Sequence, residues 1–143
     1  MRFMVFMIPG VYQPGKTVDP NFAPPAEMVA KMMKFNEELA TAGALIALDG
    51  LQPLTKGARI SFSGGKPTVT DGPFAEAKEV VGGYWMLQFK SKQEAIDWVK
   101  KCPAQDGDVV EIRPVFEMSD FPEDVQKAAD SPTVKAQLEK NKQ

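Results

Sequence analysis

Arg2-Phe3-Met4-Val5-Phe6-Met7-Ile8 is the stretch on which the fold turns. Successive side chains of an extended strand point to opposite sides, and here both alternating faces are apolar. That is the pattern of a strand covered above and below. Gly83-Tyr84-Trp85-Met86-Leu87-Gln88-Phe89 repeats it. Two such strands need cover on both sides of whatever sheet they join.

Working outward, Pro25 and Glu27 suit a helix start, and Met28, Met32, Phe35, Leu39 and Ala42 recur at helical spacing up to Gly43, a C-terminal cap. The methionines of that stripe read as core lining more readily than as an adaptable ligand surface. Ser91-Lys92-Gln93-Glu94 is a capping box, and Ala95, Trp98, Val99 and Cys102 form the inward stripe of a second helix that stops before Pro103. Residues 45–51 read as a strand. Residues 59–63 and 66–70 read as a hairpin closed by Gly64-Gly65, a pair able to take positive φ. Residues 109–116 supply a last strand. A loop rich in Pro and Gly spans 9–25, and from Met118 onward the chain is polar, with short helical stretches broken at Pro122 and Pro132.

The order strand, helix, strand, hairpin, strand, helix, strand predicts an α+β fold, a ferredoxin-like βαββαβ plan with an inserted hairpin. It occupies residues 1–117, with a polar, partly helical extension over 118–143. In that plan both helices cover one sheet face. The other face is bare and apolar, so a homodimer packed sheet to sheet is expected.

Composition narrows function. At 143 residues, 43% hydrophobic and 25% charged, the chain suits one core. Its 17 basic residues are scattered and the net charge is −2, which argues against nucleic acid as a partner. The lone Cys102 cannot form an internal disulfide, so a cytoplasmic location is expected. The N-terminal apolar run ends at Pro9-Gly10, too short for a membrane span. There is no histidine, which removes the usual general base and the commonest zinc ligand. Catalysis would have to rest on carboxylates, Lys, Arg, Tyr or Cys102. Cys102 falls at a helix C-terminus, where the dipole disfavours a thiolate nucleophile.

The densest ionisable cluster is Asp71-Gly72-Pro73-Phe74-Ala75-Glu76-Ala77-Lys78-Glu79, on the connection before Gly82-Gly83. Asp71, Glu76 and Glu79 would raise one another's pKa for acid or base work, or would hold a hard cation such as Mg²⁺. The bland alternatives are a turn in which Asp71 accepts backbone N–H bonds and a solvated face for Glu76 and Lys78. Alternation on the last strand places Glu111, Arg113, Val115 and Glu117 on one face and Val110, Ile112 and Phe116 on the other. Arg113 either clamps a ligand's carboxylate or phosphate, or pairs with Glu111, Glu117 or Asp71. Asp49 before Gly50 resembles a turn, and Tyr84 and Trp85 read as core. Gly82 and Gly83 permit close backbone approach, but they lead into a strand and make a weak phosphate cradle.

Phe3-Met4-Val5-Phe6-Met7, Gly50-Leu51-Gln52-Pro53, Val69-Thr70-Asp71-Gly72-Pro73-Phe74-Ala75-Glu76 with Lys78-Glu79, Gly82-Gly83-Tyr84 and Glu111-Ile112-Arg113-Pro114-Val115 together resemble the DGPF branch of the YCII-related family, over residues 2–117. The resemblance implies a dimeric α/β barrel of bacterial origin, with some relatives thought to accompany alternative sigma factors. Other branches carry a His-Asp pair suspected of catalysis. That role does not transfer to a chain without histidine, although Asp71 remains a pocket candidate. The expectation is a small-molecule-binding protein whose pocket, between sheet and helix, is lined by Asp71 and Glu79 as catalytic candidates and by Arg113, Asp49, Gly82 and Gly83 as ligand contacts. No metal or cofactor is assigned. The alternative is a non-catalytic homodimeric accessory protein, linked to sigma-factor regulation, that works through a protein partner.

Overall fold

A computed structural model describes residues 1–13, 15–16, 18–72 and 79–142. The doubly apolar stretch is strand β1 (Arg2–Ile8), and it lies inside a four-stranded antiparallel sheet. Its neighbours are β5 (Gly83–Gln88) and β6 (Val109–Pro114), and β2 (Leu45–Gly50) pairs with the far side of β5, giving the order β2-β5-β1-β6. Strands β3 (Ala58–Ser63) and β4 (Lys66–Asp71) form a separate two-stranded sheet. The helices are α1 (Ala26–Thr41), α2 (Lys92–Val99), α3 (Glu123–Ala128) and α4 (Pro132–Lys140). The class is therefore α+β, with antiparallel sheets and no closed barrel among the described residues.

Pairing fixes which side chains share a face. Val5 stands opposite Trp85 and Ile112, and Phe3 opposite Leu87, so these alternate positions point together. Phe35 and Leu39 of α1 and Ala95 of α2 close over them, and Phe3, Val5, Leu39 and Leu87 are fully buried. Met32 packs on the same cluster, so the middle of the α1 stripe lines the core as its spacing predicts, whereas Ala42 at its end is exposed. On the other face Met4 stands opposite Met86 and Arg113, and Phe6 opposite Tyr84 and Glu111. Met4, Phe6, Tyr84 and Met86 are only partly buried.

Local signals act as their chemistry requires. Gly43 takes φ 72° just past α1, and Gly64 and Gly65 take φ 58° and 75° in the hairpin turn. Ser91 Oγ accepts from the Glu94 N–H at 3.1 Å, while the Glu94 carboxylate accepts from Lys90 N at 2.7 Å, one residue earlier than a capping box would have it.

The last strand is shorter than its sequence suggests. β6 ends at Pro114, and the final ladder bond runs from Val115 N to the Arg2 carbonyl, where β1 itself runs out. Val110 and Ile112 pack on the core as alternation predicts. Phe116 does not: it is 72% exposed, and its ring lies 4.8 Å from that of Phe121. Among the described residues no helix is long and apolar enough to cross a membrane.

Candidate functional site

The β2–β5 register sets Asp49 opposite Tyr84 and Gly50 opposite Gly83. Two residues far apart in sequence thereby form a couple, in which Tyr84 Oη donates to Asp49 Oδ2 at 2.7 Å. That bond, the nearby carboxylate charge and some desolvation raise the Tyr84 pKa, so the phenol keeps its proton and remains a donor. Above the strands, Asn36 of α1 is 6% exposed and its Oδ1 accepts from Trp85 Nε1 at 2.8 Å. An indole N–H only donates, so the amide oxygen must face it. The Asn36 Nδ2 group then has no hydrogen-bond partner among the described residues.

These groups line a cleft of about 190 Å³ between α1 and the ends of β1, β2 and β5. Its walls are apolar: Met7, Met32, Leu48 and Trp85. Asn36 faces it from α1, Asp49 and Tyr84 line it where β2 pairs with β5 with their side chains on the Phe6 face of the sheet, and no lysine or arginine lines it among the described residues. Gly50, Gly82 and Gly83 complete the lining. A Cβ on Gly82 would come within 2.5 Å of Pro9 Cγ, and one on Gly83 within 3.0 Å of the Asp49 carbonyl oxygen. The Gly82 N–H donates to Met7 O at 2.8 Å and its carbonyl accepts from Leu51 N at 2.8 Å. The glycine pair therefore serves close packing, and the Gly82 N–H is already committed and does not cradle an anion.

The sequence candidates separate into two groups. Asp49, Gly82 and Gly83 meet in this cleft, whereas Asp71, Glu79 and Arg113 are not part of its lining. Asp71 ends β4 opposite Ala58 and is exposed. Glu79 is exposed beside buried Val80, whose N–H and carbonyl are both held by the Gln13 side chain at 3.1 and 3.2 Å. Arg113 is exposed on the sheet face away from the helices, with no hydrogen-bond or ion-pair partner among the described residues. Glu76 and Lys78 lie outside the described residues. Among the described residues no three His, Cys, Asp or Glu side chains are grouped to hold a metal ion.

Glu117, one partner considered for Arg113, instead binds Arg2 through two parallel bonds of 2.8 and 3.0 Å. The Arg2 guanidinium holds the Glu117 carboxyl below the usual range, and the bond raises Arg2 in turn. Burial, aided by Asp108, pushes the Cys102 thiol to about 11, which removes it as a nucleophile at neutral pH.

Sequence reasoning missed Asn36, Gln13 and the pairing of Tyr84 with Asp49. Asn36 had a visible signal, since it lies four residues after Met32 and three before Leu39, a polar residue beside the apolar stripe of α1. The Tyr84 and Asp49 couple depends on strand register and left no local trace.

Residues 4–119 match the family described as the YCII-related domain. Over 59 residues the chain is 39% identical to an uncharacterised protein of Rhizobium meliloti (strain 1021), a stretch that is 41% of this chain and 48% of that protein. The matched segment thus spans about half of that relative's length.

Proposed function

The chain belongs to the YCII-related family, and on that premise we propose that it binds a small molecule in the cleft between α1 and the β2–β5 edge. One observation carries this: the Asn36 amide, held by Trp85, faces a hollow whose walls are otherwise apolar. The charge of the lining narrows the ligand. No lysine or arginine lines it among the described residues, and the Asp49 carboxylate shares the opposite sheet face with Tyr84, which suits a neutral, largely apolar molecule. The free Asn36 Nδ2 suits one acceptor on the same molecule.

Thermal-shift titration with matched small amines, neutral carbonyl compounds and carboxylates tests this. Neutral carbonyl compounds should raise the melting temperature of the wild type and lose that effect in Asn36→Asp, which keeps an acceptor for Trp85 but offers the ligand no donor. Equal shifts in the variant, or a preference for amines, would overturn it.

The finer architecture belongs to the same proposal. The chain is a DGPF-branch protein with a ferredoxin-like βαββαβ plan and an inserted hairpin, and two copies pack sheet to sheet as an α/β barrel. The antiparallel order β2-β5-β1-β6 supports the plan, and the apolar face of Met4, Phe6, Tyr84 and Met86 supports the dimer. Arg113 and Glu111 lie on that face without partners among the described residues, so a two-fold axis would bring opposite charges within reach. In that setting Arg113, with Asp71 and Glu79, would extend the site from the dimer side. Residues 1–117 form the domain and 118–143 an extension, as the family match ending at 119 and the absence of buried residues in α3 and α4 support. The unpaired Cys102 goes with a cytoplasmic location.

A further inference from the structure

We propose that the β3–β4 hairpin is an arm whose apolar face packs on a second copy of this chain. Ile60 pairs with Val69 and Phe62 with Pro67, so the four share one face, while Arg59, Ser61, Thr68 and Thr70 share the other. Such alternation belongs to a strand pair with one covered face. Yet Ile60 is 55% exposed, Phe62 77% and Val69 65%, and all residues of both strands are exposed. A two-stranded hairpin without cover is marginally stable in water.

The base of the arm is built to hold a direction. Gly72 N donates to Gly57 O at 3.0 Å, and the Gly72 backbone lies so close to Leu54 that a Cβ there would stand 1.8 Å from its carbonyl oxygen. The base of the hairpin is thus tied to the turn that begins at Leu54.

Area identifies the occupant, and here the inference rests on the sheet-to-sheet dimer proposed above. From strand spacing and rise, the bare face of the four-stranded sheet covers roughly 400 Å². A standard interface takes roughly 800 Å² from each partner. The arm offers roughly 200 Å², and in a two-fold dimer each protomer both contributes an arm and receives one, which makes up the difference.

Light scattering over a dilution series, with hydrogen exchange on the same samples, tests the arm. The wild type should be a dimer whose β3 and β4 amides lose protection on dilution. Phe62→Ser combined with Val69→Ser should keep the far-UV circular dichroism and raise the dimer dissociation constant about 100-fold, whereas Thr68→Ala combined with Thr70→Ala, on the polar face, should not. If the apolar-face variant dimerises like the wild type, the arm is refuted and the sheet-to-sheet dimer stands. A monomeric wild type at micromolar concentration refutes the dimer, and the arm with it. Protection of the hairpin only when a different protein is added assigns the face to that protein and also refutes the proposal.

Discussion

Phe3 and Phe62 both sit in antiparallel strands with paired neighbours, yet one is fully buried and the other is 77% exposed. The backbone is equally regular around each. What separates them is the layer above: α1 and α2 close over Phe3, and nothing in the chain closes over Phe62 among the described residues. Alternation therefore tells which face of a strand is apolar, and tertiary or quaternary packing decides whether that face is dry. The main sheet derives its stability from its helices, while the hairpin keeps its turn chemistry and gains no core.

Several substitutions break or sharpen this contrast, from strong to weak. Phe3→Ala should cost about 3–5 kcal/mol in urea unfolding, because it empties the centre of the core; a loss below about 1 kcal/mol would mean that the sheet and helices are not packed as described. Asn36→Ala leaves the Trp85 indole N–H buried without an acceptor and should cost about 1–3 kcal/mol by the same measurement. Ser91→Ala removes the α2 cap and should cost about 1 kcal/mol; a neutral result would show that Glu94 and Lys90 hold that helix start unaided. Raising the pH probes Cys102. Its folded thiol keeps its proton up to about 11 against an ordinary 9.0, so the unfolded chain deprotonates first. Stability should be unaffected below about pH 9 and decline gently from there toward 11, and Cys102→Ala should flatten that decline. Thr68→Ala, on the polar face of the hairpin, should stay within about 0.5 kcal/mol of the wild type.

The elements of the main body were legible because each carried a local device. Double-faced apolar runs marked β1 and β5, helical spacing with a cap marked α1 and α2, and paired glycines marked the hairpin turn. The end of β6 was not legible, since it is set by where β1 runs out at Arg2, a contact across the whole chain. The candidate site was legible only in part. Asp49 stood out as turn-like and Gly82 and Gly83 as a place of close backbone approach, and all three line the cleft, but the register that gives Asp49 its Tyr84 partner is a tertiary fact. The charge cluster at Asp71 and Glu79 drew attention by density alone, and density in sequence does not bring exposed carboxylates to a cavity.

Trp85 gives the cleft an optical consequence. Its indole lines the hollow, is 6% exposed and is bonded to Asn36, so its emission should be blue-shifted and should respond when the cleft fills. The other tryptophan, Trp98, lies under the Lys101 ammonium at 4.3 Å from its ring and outside the cleft, where it would supply a steady background. The molecule thus carries an internal gauge of occupancy, and a tryptophan emission titration can follow binding without any attached dye.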